Sequence, residues 1–247
     1  MPLNLPRNYE APVLDLFSLK GKVAVVVGGG RGIGLEISKA YAQAGADVAI
    51  IFCNTREAHE RAKEISNEYG TRVQAFESDV RVRETIAKTI EQITSDFGRG
   101  RLDVVVANAG VCANINSLEY TEEQWAWNSS INYDGVMWTA QACGRIFKEQ
   151  GFGNLVVTAS VSSVLCNTPQ TQVAYNSAKA AAAHLTRCLA VEWADFARVN
   201  SVSPGYVNTR STTHFSCQLM ILVLTALFSD CVSRTGVDEQ LVGSGSG

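Results

Sequence analysis

Three polar side chains in the second half of the chain have the types and spacing needed to move one proton. Tyr175 and Lys179 lie in the run Tyr-Asn-Ser-Ala-Lys, and Ser162 lies thirteen positions before the tyrosine. Residues four apart share one face of a helix, so the lysine ammonium can lie beside the phenol. A neighbouring positive charge favours the phenolate and would lower the tyrosine pKa from about 10. We therefore expect Tyr175 to transfer the proton and Ser162 to hold a substrate oxygen, with Ser160 as the alternative serine.

A glycine-rich turn near the start of the chain is typical of a dinucleotide site. The apolar run 23–27 precedes the turn, Gly28-Gly-Gly-Arg-Gly-Ile-Gly34 forms it, and an apolar helical pattern follows it as far as Gly45. Such glycines let backbone amides approach a pyrophosphate, and the N-terminus of the helix favours its negative charge. Strand, turn, helix and next strand make one βαβ unit, the context in which the glycines indicate a cofactor rather than a merely flexible turn.

The elements that must position these residues alternate between strands and helices. Strands are predicted at 23–27, 48–52, 73–77, 104–107, 154–159 and 198–202, and helices at 33–44, 56–69, 81–97, 121–150 and 175–195. This alternation predicts an α/β, single-domain Rossmann fold: a doubly wound parallel sheet with helices on both faces. Ligands of such sheets bind at the carboxyl ends of the strands. Gly28, Asn108, residues 160–163 and Pro204 each follow a predicted strand, so we expect them at one edge of the sheet.

With the glycine turn, Ser162, Tyr175 and Lys179 in this order, residues 19–209 resemble the short-chain dehydrogenase/reductase family. The family's glycine motif appears as Val27-Gly28-Gly29-Gly30-Arg31-Gly32-Ile33-Gly34, its Asp-Val pair near the adenine as Asp79-Val80, and its Asn-Ala-Gly run as Asn108-Ala109-Gly110. Its catalytic asparagine matches Asn132, and its motif near the nicotinamide appears as Pro204-Gly205-Tyr206-Val207-Asn208-Thr209. Residues 14–22 also resemble fungal polyol and ketose reductases of this family.

The resemblance implies roles for the matching residues. The implied catalytic residues are Asn132, Ser162, Tyr175 and Lys179. The implied cofactor-binding residues are Gly28, Arg31, Gly32, Ile33, Gly34, Asp79, Val80, Asn108, Ala109, Gly110, Tyr175, Lys179, Pro204, Gly205, Val207 and Thr209. Lys179 would also hold the nicotinamide ribose, and Asn132 would position a water that returns the proton. The alternative for Asn132 is that it satisfies backbone groups in its helix. Val27 replaces the family's usual threonine, and we expect a modest cost because a β-branched residue still suits the strand.

The end of the second predicted strand indicates which nicotinamide cofactor the chain binds. NAD sites usually place a carboxylate there to hold the adenosine ribose hydroxyls. The residues here are Phe52-Cys53-Asn54-Thr55-Arg56, with no carboxylate to repel a 2′-phosphate. Arg31 and Arg56 supply positive charge, and Asn54 supplies hydrogen bonds. We therefore expect NADP(H) rather than NAD(H), with an NAD-dependent alcohol dehydrogenase as the alternative.

The motifs together predict an NADP(H)-dependent oxidoreductase that interconverts a ketone and a secondary alcohol. Its small-molecule substrate would be a ketose, a polyol or a natural-product carbonyl compound. Candidate pocket walls near the predicted catalytic residues suit a moderately apolar substrate; they are Val164, Leu165, Cys166, Gln170 and Tyr206. The alternative function is a cofactor-binding paralogue that is redox-silent or supports a non-redox biosynthetic step.

That alternative arises because the region after Thr209 is short for the family, whose members carry a substrate lid there. We predict an N-terminal extension at 1–18, a reductase domain at 19–242 with a shortened lid near 210–217, and a flexible Gly/Ser tail at 243–247. The family commonly forms oligomers through its long central helices and last strand. A homodimer or homotetramer is therefore the expected assembly.

Composition and charge argue against several other classes of protein. A net charge of -3 over 247 residues gives no basis for nucleic-acid binding. The apolar run 219–228 is too short to cross a bilayer, so no membrane partner is expected. Seven cysteines and three scattered histidines show no metal-ligand spacing, so no metal site is expected. An odd number of cysteines without paired spacing indicates reduced thiols in the cytoplasm.

Overall fold

The fold consists of one parallel sheet with helices on both of its faces. The computed structural model describes residues 12–207 and residue 209. The strands are β1 (Val23–Val27), β2 (Asp47–Phe52), β3 (Val73–Glu77), β4 (Val104–Ala107), β5 (Asn154–Thr158) and β6 (Arg198–Val202). Their order in the sheet is β3-β2-β1-β4-β5-β6, and every neighbouring pair is parallel. The predicted α/β, doubly wound Rossmann fold is confirmed.

The strand order reverses between β1 and β4, the two strands at the centre of the sheet. From β1 the chain continues outward to β2 and β3, then returns to pair β4 with the other side of β1. Val27 at the end of β1 is in register with Ile51 of β2 and Ala107 of β4. The turns that follow β1 and β4 therefore emerge side by side, at the switch point where doubly wound sheets bind ligands.

The sheet is buried on both faces, as its apolar strands predict. Alternate residues of β1 contribute to two separate cores: Val25 and Val27 to one, Ala24 and Val26 to the other. The first core contains residues of the later helices, whereas the second contains residues of the two earliest helices. Right-handed crossovers require this arrangement because the chain moves across the sheet in opposite directions before and after β3.

Six α-helices connect the strands in the described part of the chain. They are α1 (Gly32–Gln43), α2 (Ala58–Tyr69), α3 (Arg83–Gln92), α4 (Glu122–Ser129), α5 (Gly135–Gln150) and α6 (Val173–Glu192). A capping box of Thr121 and Gln124 begins α4, and a left-handed glycine, Gly151, ends α5. A short 3₁₀ helix, Val161–Ser163, follows β5.

Two of the predicted helices are not continuous α-helices, so that part of the prediction was wrong. The predicted helix 81–97 begins only at Arg83 and ends in a π turn, Ile93–Phe97. The predicted helix 121–150 is divided into α4 and α5 by a π turn, Ser130–Asp134. The amide of Gly135 donates a hydrogen bond to the carbonyl of Ser130, five residues earlier, which defines this π turn. Local wide turns of this kind occur often at functional sites.

Some of the predicted organisation falls on residues that the structure does not describe. The shortened lid near 210–217, the Gly/Ser tail at 243–247 and most of the N-terminal extension lie outside the described residues. Among the helices that are described, none combines the length and the apolar character that crossing a membrane requires.

Candidate active site

Tyr175 and Lys179 lie one turn apart near the start of α6, as their spacing predicts. The helix is rich in alanine around them, with alanine at 178 and 180–183, which favours helix formation and close packing against the sheet. Lys179 is buried, and its Nζ donates a 2.7 Å hydrogen bond to the carbonyl of Thr158 at the end of β5. The same Nζ lies 5.8 Å from the centre of the Tyr175 ring. The structure therefore brings the lysine cation beside the tyrosine.

Burial controls the protonation of both residues. It lowers the pKa of Lys179 from 10.5 to about 8, partly opposed by the Cys112 thiol. It raises the pKa of Tyr175 above 10, although a hydrogen bond with the Ser160 hydroxyl lowers that pKa in part. The expected lowering of the tyrosine pKa is therefore wrong for this structure. The physical reason is that desolvation of the phenol outweighs the hydrogen bond with Ser160, so Tyr175 holds its proton at neutral pH.

The serines after β5 are placed differently from one another. Ser160 is the hydrogen-bond partner of Tyr175, and its Oγ also accepts a 3.1 Å bond from the amide of Ser162. The Oγ of Ser162 accepts a 3.2 Å bond from the Asn167 side chain. Ser163 instead donates to the carbonyl of Lys179. The structure thus pairs the tyrosine with Ser160, the alternative serine. Ser162 is buried, and in the described part of the chain its hydroxyl proton has no acceptor.

The side chain of Asn132 anchors the loop that follows β4. Asn132 is fully buried in the π turn. Its Oδ1 accepts a 3.1 Å bond from the amide of Val111, and its Nδ2 donates a 2.8 Å bond to the carbonyl of the same residue. Further bonds join Nδ2 to Asn128. These contacts support the alternative that Asn132 satisfies polar groups of the protein; its predicted catalytic role stays a prediction.

The glycine turn is packed too closely for side chains. Gly28 has a φ of +77°, and a Cβ on it would lie 2.9 Å from the Cα of Ala109. A Cβ on Gly34 would collide with the carbonyl of Gly28 and with Asn108. The Asn108 side chain donates a 3.2 Å bond to that same carbonyl, which joins the turns after β1 and β4. The amide of Gly28 also bonds Ile51 at 2.7 Å, so backbone contacts secure the turn where Val27 supplies no hydroxyl.

This turn fits the pyrophosphate of a dinucleotide. Gly32 and Ile33 begin α1, whose N-cap residue, Arg31, makes no side-chain cap bond. First-turn amides of a helix without a side-chain cap can bind an anion, and the helix dipole favours it. Ala109 and Gly110 border the turn, and a Cβ on Gly110 would lie 3.4 Å from the Nζ of Lys179. The loop after β4 therefore contacts the glycine turn through Asn108 and Ala109 and reaches Lys179 through Gly110.

The predicted adenine side lies beyond the end of β2. Asn54 and Arg56 are exposed there, and residues 53–56 include no carboxylate. Asp79 is held by Arg81, whose Nε lies 2.9 Å and 3.0 Å from the two carboxylate oxygens. These bonds lower the pKa of Asp79, so its charge is present but compensated. Val80 next to it is buried against Gly135.

The loop after β6 returns toward the glycine turn. The carbonyl of Pro204 accepts a 3.1 Å bond from the amide of Val161, which fixes the loop against the segment that carries Ser160 and Ser162. Gly205 and Val207 continue this loop, and Thr209 comes within 3.8 Å of a Cβ placed on Gly32. The motif predicted near the nicotinamide therefore spans the space between the serines and the pyrophosphate turn.

Three residues around the tyrosine were not predicted from the sequence. The Thr158 carbonyl holds Lys179, Asn167 binds Ser162, and Cys112 lies close enough to affect the pKa of both Tyr175 and Lys179. Burial raises the pKa of the Cys112 thiol itself to about 11. Position after a strand end was the available signal for Cys112 and Asn167, whereas a backbone carbonyl leaves no trace in residue type. Within the described residues, no cluster of histidine, cysteine and acidic side chains could hold a metal ion.

Comparison with known proteins identifies the family of the chain. Residues 22–218 match the family described as short chain dehydrogenase. Sorbose reductase sou1 of Schizosaccharomyces pombe is 44% identical over 201 residues, 81% of this chain and 78% of that protein. An NADP-dependent mannitol dehydrogenase of Hypocrea jecorina is 44% identical over 200 residues, 80% and 74% of the two chains. The crystal structure of NADPH-dependent 3-quinuclidinone reductase from Rhodotorula rubra is 40% identical with a TM-score of 0.77, covering 85% of this chain and 79% of that one. The chain therefore belongs to the short-chain dehydrogenase/reductase family.

Proposed function

We propose that this protein is an NADP(H)-dependent oxidoreductase that interconverts a ketone and a secondary alcohol, with Tyr175 as the proton-transferring residue. One observation carries the proposal: a protonated tyrosine lies beside a buried lysine and a serine hydroxyl, next to a glycine turn that fits a dinucleotide. Relatives named as an NADP-dependent dehydrogenase and an NADPH-dependent reductase support this chemistry. They weigh against the redox-silent alternative.

The protonation states suit reduction at neutral pH. When bound, NADPH supplies the hydride that reduces the carbonyl carbon. Tyr175 keeps its proton because burial raises its pKa, and it donates that proton to the developing alkoxide. A serine hydroxyl donates a hydrogen bond to the same oxygen and stabilises its charge. Lys179, whose pKa is about 8, is mostly charged at pH 7 and stabilises the tyrosinate that remains.

Preference for the phosphorylated cofactor rests on the end of β2. Arg31, Asn54 and Arg56 are exposed around the position where NAD sites usually carry an acid. Asp79, the nearby carboxylate, is compensated by Arg81 and presents little net repulsion to a 2′-phosphate. Arg56→Glu should weaken NADPH binding at least tenfold and leave NADH binding nearly unchanged, because it places a negative charge beside the phosphate.

The relatives' names point to a ketose or polyol as the substrate. Sorbose reductase and mannitol dehydrogenase both act, by name, on sugar-derived chains, and both cover most of this sequence. The direct test is consumption of NADPH, followed at 340 nm, with a panel of ketoses and simple ketones and with NADH in parallel. Oxidation of NADPH that disappears in Tyr175→Phe is the expected result. Tight NADPH binding without turnover of any carbonyl would overturn the proposed activity, and unchanged turnover by Tyr175→Phe would overturn its mechanism.

A pair of variants distinguishes the two candidate serines. Ser160 bonds the tyrosine, whereas Ser162 accepts from Asn167 and can still donate its own proton. We predict that Ser162→Ala lowers kcat/KM roughly 100-fold by removing an oxyanion donor. Ser160→Ala should instead shift the pH profile of kcat, because it removes a bond that lowers the pKa of Tyr175. If kcat/KM fell strongly in Ser160→Ala and stayed unchanged in Ser162→Ala, the roles of the two serines would have to be exchanged.

We also propose that the protein assembles as a homodimer or homotetramer through the α4 region. Three large aromatic side chains remain exposed there, Trp125, Trp127 and Tyr133. Sedimentation velocity tests this assignment, and a monomer at micromolar concentration would contradict it. A cytoplasmic location is proposed because all five described cysteines are free thiols, the form kept by reducing compartments. Cell fractionation that finds the protein in an oxidising compartment would contradict it.

A further inference from the structure

Four amide side chains lie on the chain segments that flank the proposed catalytic residues, and we call them the amide rim: Asn114, Asn167, Gln170 and Gln172. They come from the loop after β4 and from the segment between β5 and α6. Gln172 Nε2 donates a 2.8 Å bond to Asn114 Oδ1, and a bond from the amide of Ile115 to Thr171 reinforces this connection. Gln172 immediately precedes the helix that carries Tyr175. Asn167 bonds Ser162, so the rim reaches the serine proposed to hold the substrate oxygen.

Each amide of the rim uses only one of its two polar ends in contact with the protein. Asn167 Nδ2 donates to Ser162, and Gln170 Oε1 accepts a 3.0 Å bond from the Tyr206 hydroxyl. Among the described residues, the side-chain oxygens of Asn167 and Gln172 and the side-chain NH2 groups of Asn114 and Gln170 have no hydrogen-bond partner. All four side chains are exposed or half-buried. The rim thus presents two acceptors and two donors, and a hydroxyl group can both donate and accept.

The same segments carry no charged side chain. Residues 111–118, 160–172 and 203–207 contain no lysine, arginine, histidine, aspartate or glutamate. Lys179, the cation of the proposed catalytic set, is buried and donates to the Thr158 carbonyl. A carboxylate or phosphate on the substrate would therefore lose water without gaining an ion pair from these segments. Val164 and Leu165, which had suggested an apolar wall, are 86% and 56% exposed.

We infer that the amide rim determines substrate specificity by reading the hydroxyl groups of a neutral, open-chain polyhydroxy ketone. This inference deepens the proposed function and rests on it. Donor and acceptor ends bind successive hydroxyls of the substrate, while the absence of a cation in the rim disfavours keto acids and sugar phosphates. The connection between Asn114 and Gln172 also fixes the rim relative to Tyr175, because the two residues join the loop after β4 to the start of α6.

The first experiment compares four ketones at saturating NADPH: fructose, 5-ketogluconate, fructose 6-phosphate and 2-hexanone. They share a six-carbon chain and differ in hydroxyl groups and charge. The expected result is a kcat/KM for fructose at least tenfold above each of the others. Equal or faster reduction of the charged substrates would overturn the claim of neutrality, and equal or faster reduction of 2-hexanone would overturn hydroxyl reading. No turnover of any ketone would instead be failure of the proposed function itself.

Variants of the rim supply the second readout. Gln172→Met and Asn114→Leu nearly keep side-chain volume but remove the polar ends. Each should raise KM for fructose roughly tenfold, the effect of one lost hydrogen bond, with kcat and the Kd for NADPH within twofold of the parent. Gln141→Met is the matched control, because Gln141 lies on α5 and bonds Arg83. An equal loss with fructose and 2-hexanone, or a loss confined to kcat, would show a merely structural role and overturn the inference.

Discussion

The buried ammonium of Lys179 should make stability depend on pH in a defined direction. Lysine titrates at 10.5 when exposed, whereas burial brings the pKa of Lys179 to about 8. The unfolded chain holds this proton more tightly than the folded protein does. Burying the charged lysine therefore lowers the free energy of unfolding at neutral pH, and this loss becomes smaller as pH rises. The difference between the two pKa values corresponds to about 3 kcal/mol at neutral pH. Lys179→Met removes this charge and leaves a side chain of similar length.

The informative quantity is how the difference in unfolding free energy between the two proteins changes with pH. At pH 7 Lys179 is mostly protonated in both states, whereas at pH 9 only the unfolded chain keeps the proton. Between pH 7 and pH 9, the free energy of unfolding of the parent should therefore rise by about 1.4 kcal/mol relative to that of Lys179→Met. The bond that the variant loses to the Thr158 carbonyl does not titrate, so it cancels from this comparison.

Urea unfolding of both proteins at pH 7 and pH 9, monitored by tryptophan fluorescence, measures this change. Repeating the pair in a Tyr175→Phe background removes any contribution from the tyrosine, and Lys88→Met on the surface controls for overall charge. A difference between parent and variant that is the same at both pH values would refute the burial argument. A change of the opposite sign would mean that the folded protein stabilises the charged lysine.

Asp103→Asn should lose roughly 1 kcal/mol at pH 7 in urea unfolding, because the charged bonds of Asp103 to Arg101 and Lys22 are lost. Burial alone would raise the pKa of Asp103, but these bonds and one from the Val23 amide together lower it below 3.8. The contribution of Asp103 is therefore present above 3.8 and is lost as pH falls through the lowered pKa. Gly34→Ala should raise the Kd for NADPH more than tenfold in a fluorescence titration, since its Cβ collides with the glycine turn. Asn132→Ala should cost roughly 3 kcal/mol in thermal unfolding, because it leaves the amide and carbonyl of Val111 unpaired.

Matched changes make these outcomes interpretable. Gly70→Ala also replaces a glycine, at a φ of +68° with open space around it, so it should affect folding and not NADPH binding. If Gly70→Ala and Gly34→Ala weakened NADPH binding equally, the steric argument would be contradicted. If Asp103→Asn were as stable as the parent at pH 7, the ion pairs at the amino end of β4 would contribute nothing to folding. An Asn132→Ala protein of parental stability would return attention to a catalytic role for that side chain.

The strands and the edge where the motifs meet could be predicted because their signals are local. β1 and β4 are short apolar runs, and buried parallel strands need little else. Gly28 and Asn108 follow those strands directly, so their proximity came from the topology of the sheet. The proximity of Tyr175 and Lys179 came from helical spacing alone. None of these inferences required knowledge of how side chains pack.

The features of the site that were missed depend on competition between opposing interactions, whose balance residue types do not reveal. Spacing placed Lys179 beside Tyr175 but gave no measure of burial, which raises the tyrosine pKa. Counting thirteen residues favoured Ser162 as the serine that holds the substrate oxygen, which stays a prediction, but it could not show that Ser160 is the serine that bonds the phenol. The amide pairs of the rim join loops that are distant in sequence, and polarity alone could not assign partners to them.

The wide turn Ser130–Asp134 sets a constraint on the length of the chain between α4 and α5. A π turn holds one residue more than the α-helical path it interrupts, so it rotates everything that follows by about 100° relative to a continuous α-helix. With this extra residue, Asn132 meets Val111 while Val136 and Phe147 still face the core. Deleting one residue here would restore a regular helix yet turn the buried face of α5 toward water. Surface loops tolerate insertions and deletions, whereas a change of length in Ser130–Asp134 should disrupt the packing of α5.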